Sequence, residues 1–201
     1  MMNRSSFLYF TPPDEYRFHP FFSLYLQKKQ NDLCSESYKK QIYQNIGLYY
    51  ELEGDVLNSI KYYDLAKNYN KVSSILIENT KNNASNSRYN ELEEYYFSLP
   101  DSMISQSPEL MAALSMIYSL KMNTDESEYW FERLTQFKET VDKNDIRYST
   151  ANEKIAYLSL ALPHRGSNNF VQLIQNIATL CISQGYKLQD ISITGNMPSL
   201  M

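Results

Sequence analysis

The run from Tyr43 to Ala66, YQNIGLYYELEGDVLNSIKYYDLA, constrains the fold more than any other stretch. It reads as two antiparallel helices joined at Glu53-Gly54-Asp55. On the first, Tyr43, Ile46, Gly47 and Tyr50 fall at the i, i+3, i+4, i+7 spacing of a single helical face. Ser59, Tyr63 and Ala66 repeat that periodicity on the second. A glycine inside a helix costs about 1 kcal/mol relative to alanine, so it calls for a packing reason. Close approach supplies one. Gly47 lets the second helix sit tight, with small Ser59 and Ala66 facing it and Tyr43, Tyr50 and Tyr63 filling the space around the contact.

The same offsets return downstream. Met111, Leu114, Ser115 and Tyr118 face Ser127, Phe131 and Leu134, with Ser115 in the place of Gly47. The spacing, the small–small contact and the Gly-Asp turn resemble a tetratricopeptide (TPR) helical hairpin. Two such units in register predict an all-α chain of antiparallel hairpins stacked as a right-handed solenoid.

At 201 residues there is room for several helix pairs, and five glycines with seven prolines suit long helices joined by short connections. A net charge of -4 with scattered Lys and Arg leaves no footprint for nucleic acid. Cys34 and Cys181 lie far apart within apolar helical patterns, which favours reduced core thiols over a disulfide or metal pair. The apolar run Phe7–Phe10 is too short for a signal peptide, and no stretch nears the ~18 apolar residues of a membrane span. The expected location is cytoplasmic, with no membrane partner.

In chain order, Phe7–Phe10 and Glu15–Phe18 flank Thr11-Pro12-Pro13-Asp14, a turn signal, and predict a β-hairpin followed by a helix from Pro20. Helical periodicity runs from Ser35 to Glu53, from Asp55 to about Asn68, and from Val72 to about Lys81. The polar run Asn79–Asn90 predicts an exposed loop. Helix resumes near Arg88 and stops at Pro100. Ser107-Pro108-Glu109 is a helix start, and Thr124-Asp125-Glu126 opens the next helix. Thr150-Ala151-Asn152-Glu153 reads as a capping box for a third pair, whose second helix runs from Ser167 to Gly185.

Three places carry a further resemblance. Tyr16-Arg17-Phe18-His19-Pro20-Phe21-Phe22 with Tyr25-Leu26 is similar to the "Y-R-[YF]-H-x-L-F…L" signature that closes the winged helix of LuxR-class, MalT-like transcription regulators. Ile46-Gly47 through Asp64 resembles their first helical hairpin, and Leu99-Pro100 with Ser107-Pro108-Glu109-Leu110 their "LP…P-x-L" junction. The resemblance covers most of residues 7–162. It implies residues 1–33 as the end of a winged-helix-like segment, 34–187 as the TPR-like array and 188–201 as the tail of a truncated array. No G-x-x-x-x-G-K-[ST] loop occurs, so ATP is expected only in the full family architecture and no cofactor here. DNA would be contacted only through a helix-turn-helix that this sequence lacks. The implied role is an effector-sensing, protein-contacting segment that is not an enzyme. The alternative is a stand-alone TPR adaptor, and homo-oligomers fit either reading.

The first helices of a TPR-like array line a concave groove. Gln41, Gln44, Leu48 and Glu51 occupy the groove positions of the first pair, and Ala112, Met116 and Ser119 those of the second. This mixed lining suits an effector that is a helix or a small molecule. Arg165, in His164-Arg165-Gly166, can contact an anion at the following helix start, or it can bond helix-end carbonyls. His19 reads as a packing histidine, and Glu91, Glu93 and Glu94 as a solvated helix face. Two histidines and two cysteines with no ligand spacing make a metal site improbable.

Overall fold

The computed structural model describes residues 7–11, 15–81 and 88–162, with Gln175 and Ala178 as further helical positions. A two-stranded antiparallel hairpin, β1 (Leu8–Thr11) and β2 (Glu15–Phe18), pairs Leu8 with Phe18 and Thr11 with Glu15. The rest is helical: α1 (Pro20–Leu33), α2 (Glu36–Leu52), α3 (Val56–Leu65), α4 (Tyr69–Lys81), α5 (Tyr89–Ser98), α6 (Asp101–Ile104), α7 (Pro108–Leu120), α8 (Thr124–Thr140) and α9 (Ile146–Ala161). Among the described residues, no helix is long and apolar enough to cross a membrane.

The α2–α3 and α7–α8 pairs are built alike. Each first helix ends on a residue in the left-handed region, Gly54 (φ 77) and Met122 (φ 60). The amide after it reaches back to the last turn: Asp55 N–H to the Tyr50 carbonyl and Asn123 N–H to that of Tyr118, both at 2.9 Å. That same residue then caps the next helix, Asp55 accepting from Asn58 N–H and Asn123 from Glu126 N–H. Across each pair a serine twelve residues on donates to the first helix's backbone. Ser59 Oγ meets the Gly47 carbonyl at 3.0 Å, and Ser127 Oγ meets that of Ser115 at 2.8 Å. The repeat read from the sequence is therefore a repeat of hydrogen bonds.

Gly47 admits the close approach expected of it, with Ser59 on its carbonyl and the Tyr63 ring beside it. A Cβ there would stand 2.9 Å from Cδ1 of Tyr63, so an aromatic ring fills the space opposite it. Tyr62 joins the expected tyrosines, stacking on Tyr50 at 5.6 Å and lying 6.3 Å from Tyr43.

Helices α3, α4 and α5 pack on one another, and α4, α5 and α6 all reach α7. Helix α9 packs on α7 and α8. The core accordingly centres on α7, where every residue from Leu110 to Ile117 is buried. The hairpin and α1 stand apart in their packing: among the described residues, α1 makes no substantial contact with a later helix. An aromatic cluster holds these two elements together, with Phe22 beside Phe7 (4.8 Å) and Phe18 (5.6 Å). His19 caps α1, its Nδ1 accepting from Phe21 N–H at 3.2 Å.

Several expected boundaries move. Helix α4 begins at Tyr69, ahead of Val72, because Lys67 (φ 55) closes α3 and the Asn68 side chain accepts from Lys71 N–H. Asn79 and Thr80 belong to the buried last turn of α4, not to an exposed loop; Asn79 Nδ2 donates to the Tyr96 hydroxyl at 3.1 Å. The cap of α8 is Asn123, one residue before Thr124. Helix α9 starts at Ile146 under an Asp145 cap; Thr150 lies inside it, its Oγ1 donating to the Ile146 carbonyl. The short helix α6 was not anticipated. The helix expected over 167–185, with Cys181, His164 and Arg165, lies outside the described residues apart from Gln175 and Ala178.

Candidate functional site

The groove expected along the first helices does not form as one surface. Gln41, Gln44, Leu48 and Glu51 are exposed on α2. Ala112 and Met116 are buried, at 5% and 2% exposure, and Ser119 is buried with them. Neighbours cause the difference: α7 carries α4, α5, α6 and α9 as well as its hairpin partner, whereas the substantial helix contact of α2 is with α3. Side chains that line a surface on α2 therefore line an interior on α7. Arg165 lies outside the described residues.

Within the α2 set, Glu51 is already engaged. The Tyr63 hydroxyl donates to one carboxylate oxygen, and Lys71 Nζ lies 2.9 Å from both. The Tyr63 hydrogen bond, then that of Lys71, holds the Glu51 pKa below its ordinary value. Burial first, and Glu51 second, push the Tyr63 hydroxyl up. Lys71 also sits over the Tyr63 ring, 5.6 Å from its centroid. This cluster joins α2, α3 and α4 and withdraws Glu51 from ligand binding.

What remains open on α2 is apolar. Leu48, Tyr49 and Leu52 are 47%, 57% and 79% exposed, at the i, i+1, i+4 spacing of a stripe along the C-terminal half, with Gln41, Gln44 and Asn45 before them. Met116 and Ile117, the α7 counterparts of Leu48 and Tyr49, are buried. Leu120, the counterpart of Leu52, is 37% exposed, so the stripe differs from α7 at two of its three positions. Tyr49 and Leu52 are not among the groove positions expected from the sequence; their apolar character, beside Leu48 and one turn after it, was the available signal.

A second feature lies between α3 and α5. Lys61, Asp64, Leu65, Glu94 and Tyr95 line an open cleft of about 260 Å³. Burial, followed by its hydrogen bond to Glu94, pushes the Tyr95 hydroxyl up to about 12. Asp64 pairs with Lys67 at 3.6 Å and keeps Oδ1 buried without a hydrogen-bond partner. The cleft brings in Glu94, which had been read as part of a solvated face. Its carboxylates lie beside a lysine and neutral tyrosine, a set that can bind polar groups. Among the described residues, no group of three His, Cys, Asp or Glu side chains comes together to hold a metal ion.

No family model, curated protein or solved structure matches this chain.

Proposed function

We propose that the chain is a TPR-like helical-repeat segment that binds protein helices through the exposed face of α2. In its most specific form it is the effector-sensing, protein-contacting part of a LuxR-class, MalT-like transcription regulator, located in the cytoplasm and without DNA-binding or ATPase chemistry of its own. The observation that carries this reading is the duplicated hairpin: the Ser59–Gly47 and Ser127–Ser115 hydrogen bonds and the paired left-handed turns recur in register. From Gly47 to Ser115 is about two periods of the ~34-residue TPR unit, and α4–α5 stands between them as the intervening pair. Such pairs bury their faces by stacking, and a terminal pair that exposes an apolar stripe presents a surface for another helix.

Binding at α2 would shift how flanking modules are held in a regulator; in the alternative, a stand-alone TPR adaptor, the same face would hold a separate protein. The test is a thermal-shift screen of amphipathic helical peptides and small molecules, followed by Leu48→Glu and Arg165→Ala on any hit. Loss of binding with Leu48→Glu and retention with Arg165→Ala is expected. The opposite pattern moves the site to the Arg165 loop, and a screen in which no helical peptide binds overturns the reading. A phosphate-loop module encoded upstream and a helix-turn-helix downstream would separate regulator from adaptor.

A further inference from the structure

We draw no further inference here: the strongest candidate, the open cleft between α3 and α5 lined by Lys61, Asp64, Leu65, Glu94 and Tyr95, rests on two carboxylates with no second observation that points to a ligand, the unpartnered Oδ1 belonging to an Asp64 side chain that is 21% exposed and paired with Lys67.

Discussion

The hydroxyl of Ser59 donates to the backbone carbonyl of Gly47, a carbonyl already used within α2. The bond can form because neither residue carries a side chain that would hold the helices apart. Ser127 and Ser115 repeat it. Replacing Ser127 by alanine should cost about 1–3 kcal/mol, because it removes the bond to the Ser115 carbonyl and the 3.3 Å contact with the buried Ser115 hydroxyl. Ser127→Leu should cost more by overpacking a fully buried position. Urea unfolding monitored by circular dichroism would measure both; equal losses would mean that the contact is not tight.

The ring of Tyr63 sets what Gly47 can become. A methyl group would meet that ring at 2.9–3.1 Å, and the ring is held in place by its hydroxyl on Glu51. Improved helix propensity offers about 1 kcal/mol in return. Gly47→Ala should therefore lose about 1 kcal/mol net, and Gly47→Leu about 3 kcal/mol. In the background of Tyr63→Leu, the alanine variant should instead gain stability. If Gly47→Ala is as stable as the wild type without that second change, the ring is not the obstacle.

The left-handed turns respond in opposite directions. Gly54 has open space where a Cβ would go, so Gly54→Ala reports backbone strain alone, about 1 kcal/mol destabilising. Met122 occupies the equivalent conformation while 90% exposed, with little packing to lose. Met122→Gly should raise the stability by about 0.5–1 kcal/mol. Thermal melts of the two variants moving the same way would contradict the equivalence of the turns.

The acid side of the stability profile reports on Glu51. Its pKa is depressed in the folded chain, first by the Tyr63 hydroxyl and then by Lys71. A depressed carboxylate contributes stability that is present above its unfolded value of 4.5 and is lost as pH falls through the folded value. Tyr63→Phe keeps the ring and removes the stronger donor, so the loss below pH 4.5 should flatten relative to the wild type. Denaturant midpoints between pH 3 and 7 would decide, and an unaltered slope would assign the effect elsewhere.

The Tyr157 hydroxyl is buried without a hydrogen-bond partner. Removing it in Tyr157→Phe should stabilise the chain by about 1 kcal/mol, the cost of an unsatisfied buried donor. A destabilised phenylalanine variant would reveal a partner for that hydroxyl.

Local chemistry made much of the fold legible. Ser107 caps the helix it was expected to cap, and Ser35 and Asp55, where helical periodicity was expected to begin, cap theirs, because an N-cap acts within three residues of itself. The same rule misled where two candidates stood together. Asn123 and Thr124 can both cap, and the choice fell to Asn123 because the preceding left-handed Met122 aims it at Glu126 N–H. Thr150 carries a capping-box pattern but lies one turn into a helix that Asp145 had already started. The site was less legible than the fold. Gln44 and Ala112, or Leu48 and Met116, hold equivalent places in their hairpins, yet exposure depends on what packs outside the hairpin. The signal that was available is that Leu110 to Ile117 is apolar on nearly every face, the mark of a helix packed on all sides, whereas α2 mixes polar residues with its apolar ones.

Helix α7 touches α4, α5, α6, α8 and α9, whereas α2 leans chiefly on α3. Such an arrangement loosens from its margin inward. Amide protons of α2 can exchange through openings confined to one end, while those of α7 require the whole molecule to open. A partner that orders α2 therefore tightens the margin and leaves the centre as it was. The free energy it must supply is that of one hairpin's fraying, so even a weak ligand can stiffen this end.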